Sequence, residues 1–169
     1  MNGAVRPASP GELSLLPAIE AASDTLLQDV PGTQPGAVDR LPPPTSEEGL
    51  RTALQVLVAG RPPQGFARIE EVGTDAHLEQ LSVDPRQAGR GVGRALVEAA
   101  LAWAREQGYP GMTLCTFADV PFNAPFYRSC GFVVIDPEGE LARVRENERR
   151  LGLDSLGARV AMRKSFEQG

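Results

Sequence analysis

The sequence predicts an α/β domain: a mixed sheet with an antiparallel N-terminal half, a parallel β–α–β unit at its centre and flanking helices. Three observations carry this. The apolar runs Gln55–Ala59, Gly65–Val72 and His77–Val83 are separated by Gly60-Arg61-Pro62-Pro63 and by a turn at Gly73-Thr74-Asp75, the pattern of an antiparallel meander. Val92, Leu96, Ala99, Ala100 and Trp103 recur at helical spacing, and that pattern stops at Gly108. Gly111–Phe117 is the next apolar strand, so the helix acts as a crossover and the strand lies parallel to the one ending at Val83.

The remaining elements follow in order. Residues 4–8 read as a short strand, and Leu13, Leu16, Ile19 and Ala22 place a helix over Pro10–Ser23. Pro31–Pro44 holds five prolines and two glycines and reads as loop. Thr45-Ser46-Glu47-Glu48, a capping hydroxyl followed by acids, starts a helix that runs to about Ala53. Asn123 is a candidate N-cap, Pro125 fits a first turn and Gly131 fits the left-handed position after a helix, so a short helix leads into the strand Phe132-Val133-Val134-Ile135. Glu138–Leu151 is a charged helix with Leu141, Val144 and Leu151 on one face and a Glu146–Arg150 pair at i,i+4. Arg159–Ser165 alternates and closes the sheet.

Composition narrows the function. The 169 residues read as one domain, 1–169, and 41% apolar residues suffice for a core. A net charge of −5 argues against a nucleic-acid binder, which needs a basic face, and favours cationic partners such as amines. No run of 18 apolar residues is present, so no membrane partner is expected. Met-Asn-Gly-Ala-Val-Arg-Pro lacks the apolar core of a signal peptide, which points to the cytoplasm. Cys115 and Cys130 form no CxxC and cannot complete a zinc set with the single histidine, so no metal is expected and both read as buried thiols.

The chemistry is concentrated in Leu81–Leu96. A strand ends at Val83, glycines alternate at Gly89, Gly91 and Gly93, and a helix begins. Glycine permits close approach of a ligand, and the first N–H groups of a helix have no intrahelical partner, so this is a site for a phosphate or pyrophosphate. A P-loop is excluded, since the only lysine is Lys164, and the G-x-G-x-G spacing does not fit the dinucleotide pattern G-x-G-x-x-G.

The segment resembles the acetyl-CoA signature of the GCN5-related N-acetyltransferase (GNAT) superfamily, a strand, [RQ]-x-x-G-x-[GA], then a helix. The glycines fall on Gly91 and Gly93 and the [RQ] position on Ala88, with Gln87 one residue early. A second block, Asn123-Ala124-Pro125-Phe126-Tyr127-Arg128-Ser129-Cys130-Gly131-Phe132, is similar to the family's segment of an asparagine, an aromatic residue followed by tyrosine, and then Gly-Phe. The resemblance covers roughly residues 64–135.

It implies a GNAT-like sheet and direct acetyl transfer from acetyl-CoA, as co-substrate, to a primary amine of a small molecule or peptide. The implied cofactor contacts are the main chain of Leu81, Ser82 and Val83, the amides of Gly89, Arg90, Gly91, Val92, Gly93 and Arg94, and Asn123. Tyr127 falls on the tyrosine that protonates the departing thiolate. His77 and Glu79, two apart on one strand and so on one face, are the candidate bases. Arylalkylamine N-acetyltransferases carry histidines at these two positions, and histone-type members a glutamate at the first. A non-catalytic CoA-binding regulatory or interaction domain is the alternative. The 138–151 helix either covers the acceptor site, packs on a partner, or is a solvated surface helix; a homodimer is separately a candidate partner.

Overall fold

The computed structural model describes residues 4–30, 36 and 38–167. Within them run strands β1 (Val5–Pro7), β2 (Gln55–Ala59), β3 (Gly65–Val72), β4 (Asp75–Val83), β5 (Gly111–Phe117), β6 (Val133–Ile135) and β7 (Arg159–Ser165). The helices are α1 (Leu16–Asp24), α2 (Glu47–Arg51), α3 (Val92–Glu106), α4 (Ala124–Ser129) and α5 (Gly139–Arg150). The strands form one mixed sheet in the order β1-β2-β3-β4-β5-β7-β6, with β4 and β5 parallel. Two compact units are distinguished: residues 1–26, 43–70 and 78–103, and residues 27–42, 71–77 and 104–169.

In the first unit, β1 and β3 flank β2 antiparallel, with Val5 opposite Ala59 and Leu57 opposite Ala67. Leu13, Leu16, Ile19, Leu50, Val56, Val58 and Phe66 form its core. The helix expected over Pro10–Ser23 is divided. Pro10–Leu15 winds as a 3-10 helix, held at its start by Ser9 N–H donating to Glu12 Oε1 at 3.0 Å, and α1 follows. The α2 start is capped as expected, Ser46 Oγ accepting from Gly49 N–H at 3.1 Å. Along α3 the buried stripe is Val92, Leu96, Val97, Ala100, Leu101 and Ala104. Ala99 and Trp103, expected on that stripe, are only half-buried.

Two α1 carboxylates are drawn away from water. Glu20 is 7% exposed, and its Oε1 accepts from Thr45 N–H at 3.3 Å. Burial raises its pKa. Asp24 is pushed up to about 6, by burial first and by the neighbouring Glu20 charge second.

In the second unit, β7 pairs antiparallel with β5 over Gly111↔Ser165 to Phe117↔Arg159, and with β6 over Val133↔Arg163 to Ile135↔Ala161. The last strand therefore does not close the sheet. It inserts between β5 and β6 and leaves β6 at the edge, because β7 satisfies both neighbours' ladders while β6 is only three residues long. The α5 helix is tied down by charge. Arg145, 4% exposed, donates to Glu148 Oε1 at 2.7 Å and to Asp154 Oδ2 at 2.8 Å, and Glu148 also accepts from Arg159 at 2.9 Å. Its surface ion pair is Arg149–Glu146 at 3.2 Å, an i,i+3 contact in place of the predicted Glu146–Arg150 pair. Leu151, predicted on the apolar face, is 55% exposed. Of the predicted Pro31–Pro44 loop, residues 31–35 and 37 lie outside the described residues, and Val38–Arg40 forms a 3-10 turn.

Gly65 opens β3 where a Cβ would stand 2.9 Å from Ser82 O, 3.1 Å from Leu96 Cδ1 and 3.2 Å from Val92 Cγ1. Gly65→Ala is expected to cost about 1–3 kcal/mol, read from the urea midpoint, because a backbone oxygen cannot move aside as a side chain can. Gly11→Ala, in open space, is the near-neutral control. Asp24 predicts a pH dependence. Its folded pKa lies above its unfolded one, so its contribution is full below about pH 4 and is lost as the pH rises through 6. Asp24→Asn should therefore exceed the wild type in stability by about 1–2 kcal/mol at pH 8 and match it at pH 4, measured by denaturant unfolding at the two pH values.

Candidate active site

The end of β4 is fixed before the turn begins. Asp84 N–H donates to Gln64 O at 2.8 Å, and the Asp84 carboxylate accepts from Arg86 N–H at 3.0 Å and from its guanidinium at 2.7 Å. Ser82 is buried, and its Oγ accepts from Gln80 Nε2 at 2.8 Å; Leu81 and Val83 are half-buried. Pro85–Gln87 then makes one 3-10 turn.

Gly89 and Gly91 both have φ +78°, and a Cβ at either would meet nothing within 4 Å. Space does not demand glycine there; backbone conformation does, since this left-handed region is costly for residues with a Cβ. The first α3 bond runs from Ala95 N–H to Gly91 O at 3.0 Å, so the helix opens at Gly91 with its positive end toward the turn. Val92 is buried and anchors that end, while Gly89, Arg90, Gly91 and Arg94 are exposed and Gly93 is half-buried. Arg90 departs from the expected set of outward amides: its N–H donates within the turn to Gln87 O at 3.4 Å. The remaining turn and the α3 start suit a diphosphate, which takes main-chain donors and needs no side chain at Ala88.

His77 and Glu79 have different surroundings. His77 is 2% exposed, with Nδ1 2.8 Å from Oγ1 of Thr113, its register partner on β5. Glu79 is exposed. Its charge acts on the buried Glu20 of α1. Strand alternation gives the direction of each side chain but not its burial.

Tyr127 is 8% exposed, between Phe126 (ring centroids 5.3 Å apart) and Phe132 (5.9 Å), both edge-on. Burial raises the phenol above its ordinary pKa, with a smaller push from Cys130. Asn123 opens α4, but its side chain does not cap it; its Oδ1 accepts from Thr116 Oγ1 at 2.6 Å. That hydroxyl competes with the helix amides for the same oxygen and wins, tying α4 to β5. Gly131 ends the α4 turn at φ +99° as expected, and Lys164 Nζ donates to Cys130 O at 3.1 Å. Cys115 and Cys130 are half-buried thiols.

Sequence reasoning missed Thr113, Glu20 and Arg145. Glu20 lies four residues after Leu16, on the buried stripe, and Arg145 four after Leu141; a charge at such a position signals a buried contact. Thr113 carries no such signal, because its role depends on the β4–β5 register.

Among the described residues, no group of three or more His, Cys, Asp or Glu side chains is arranged to hold a metal, and no helix is long and apolar enough to cross a membrane. The sequence pattern of the Acetyltransferase (GNAT) family matches residues 31–132. Among solved structures, PaiA N-acetyltransferase from Thermoplasma acidophilum, in complex with coenzyme A, aligns at 18% identity and TM-score 0.68, over 96% of this chain and 98% of that one. A GCN5-related N-acetyltransferase from Rhodopseudomonas palustris aligns at 24% identity and TM-score 0.67, over 98% and 97%. The ribosomal-protein-S18-alanine N-acetyltransferase of Escherichia coli aligns at 18% identity and TM-score 0.65, over 100% and 96%. At these identities the structures establish the fold, and the family pattern, which spans more than half of the chain, establishes membership: this protein belongs to the GNAT acetyltransferase family.

Proposed function

We propose that this protein is an acetyl-CoA-dependent N-acetyltransferase that moves the acetyl group directly to a primary amine. The observation that carries the reading is the pair of left-handed glycines, Gly89 and Gly91, that turn β4 into the start of α3 on the residues bearing the acetyl-CoA signature. Main-chain donors there hold the diphosphate, and the Leu81–Val83 main chain holds the pantetheine and the thioester. An N–H aimed at the carbonyl oxygen, where negative charge develops, lowers the barrier by about 2.7–4 kcal/mol in other acyl-transfer enzymes.

Glu79 is the general base. It is the exposed member of the β4 pair, while His77 is buried against Thr113. Glu79 accepts the ammonium proton directly or through water, and the freed amine nitrogen bonds to the acetyl carbon. The carbon–sulfur bond breaks, Tyr127 gives its proton to the departing thiolate, and the newly acylated nitrogen loses its second proton to solvent, from which Tyr127 regains one; Glu79 then releases its own proton to solvent. Burial keeps that phenol protonated across the neutral range. The net charge of −5 favours a cationic acceptor by steering.

A screen of diverse amines for free CoA release tests the activity. Binding of acetyl-CoA without turnover on any amine would replace this reading with that of a regulatory CoA-binding domain. Tyr127→Phe should lower kcat about 10- to 100-fold with acetyl-CoA affinity unchanged. Glu79→Gln should lower kcat/KM by a similar factor and remove the acidic limb of its pH profile; a retained limb assigns the base elsewhere. Gly91→Val should raise the acetyl-CoA Kd at least about tenfold by calorimetry, since valine is strained at φ +78°.

A further inference from the structure

We propose that His77 is a positioning residue rather than the base: its bond to Thr113 fixes the β4 main chain just ahead of Leu81–Val83, the stretch assigned above to the thioester. The inference rests on that assignment for its functional meaning, but the pairing itself stands on geometry.

The segment ahead of Leu78 is pinned residue by residue. Gly73 N–H donates to Glu140 Oε2 of α5 at 3.0 Å. Asp75 takes Arg163 of β7 in a two-pronged contact, Nε to Oδ2 at 2.8 Å and Nη2 to Oδ1 at 3.1 Å. The arginine reaches it across Gly111, where a Cβ would stand 2.6 Å from Nη2. Ala76 and His77 sit in parallel register with Met112 and Thr113. His77, Thr113, Arg163 and Val133 occupy one row across β4, β5, β7 and β6. His77 is the last pinned residue before Leu78, and its side-chain anchor is buried: His77 and Thr113 are 2% and 3% exposed.

A general base must reach the proton it removes, directly or through one water. An imidazole buried to this degree, with Nδ1 engaged by a threonine hydroxyl, is placed to hold its own strand. Backbone donors are effective only when they are fixed in advance of the reaction, so a strand with one loose end loses rate at the thioester even if the cofactor still binds. Thr113 and His77 thus act through the main chain and touch no reacting atom.

The test uses four variants of the full chain. Thr113→Val removes only the hydroxyl, His77→Phe removes the ring nitrogens, and a double variant combines them. His77→Asn places an amide nitrogen near the Nδ1 position. Thr113→Val and His77→Phe should each lower kcat about tenfold with little change in KM for acetyl-CoA, and the double variant should be no worse than either. His77→Asn should stay within about threefold of the wild type and keep the acidic limb of the pH profile. A His77→Asn enzyme that loses that limb makes His77 the base and overturns the proposal, as does a Thr113→Val enzyme with normal kcat. A merely structural pair would lower the melting temperature and leave kcat at 25 °C intact, which also counts against it. Because this is the only histidine, its ¹⁵N resonances are unambiguous and need no turnover. Thr113→Val should shift Nδ1 and the amides of Leu78–Ser82. Silence at both overturns the pairing even if the amine screen fails, whereas failure of the screen with these shifts present removes the acetyl-transfer reading and keeps the anchor.

Discussion

Much of the first unit depends on the missing side chain at Gly65. Main-chain oxygen from Ser82 and methyl groups from Val92 and Leu96 converge on the space a Cβ would fill. That convergence sets where β4 stops and where α3 starts, with the Gly89–Gly91 turn between them. Asp84, bonded to Gln64 O on one side and to Arg86 on the other, holds the strand's last residue in place. The turn is therefore supported from below by close packing, while its tip faces open space. A site that binds through main-chain atoms needs this division, because backbone donors have no rotamers with which to adapt.

The second unit is organised by charge as much as by apolar contact. β5 and β7 run together for seven residues, and the side chains that leave them are arginines that go to specific carboxylates: Arg163 to Asp75, and Arg159 to Glu148. Arg159 also lies over the Phe117 ring, 4.6 Å from its centroid, at the end of β5. Through Glu148, the same arginine is linked to the buried Arg145 of α5 and so to Asp154. A helix that its sequence marks as highly charged is thus seated by a chain of ion pairs. A buried guanidinium is costly unless its donors are met, and here two carboxylates meet them. The consequence for function is local: the β5 end carries Thr116, which holds Asn123, which opens the helix that presents Tyr127.

The residues proposed for catalysis fall into two environments. Glu79 is exposed to solvent, where a carboxylate can exchange protons with an incoming amine. Tyr127 is walled in by aromatic rings, where a phenol stays protonated until a charge develops beside it. A base open to water and an acid shielded from it suit a reaction that takes a proton at one end and delivers one at the other. His77 shares a strand with the first and the burial of the second, and its Nδ1 meets the hydroxyl of Thr113.

How much of this was legible beforehand differs by feature. Strand and helix periodicity, glycine punctuation and the two family blocks are local in the chain. They gave the element order, the parallel crossover at β4 and β5 and the glycine turn between Val83 and α3 from backbone preference and side-chain spacing, and the two blocks carried the resemblance to the family. Which of two alternating residues is buried, which oxygen an asparagine offers and to whom, and where the last strand inserts are not local. Asn123 was a plausible cap until Thr116, seven residues away in sequence, supplied a competing hydroxyl. Glu79 and His77 looked equivalent until Thr113, thirty-six residues beyond His77, stood opposite it. Burial and partnership depend on what the rest of the chain brings alongside, and only the tertiary structure decides that.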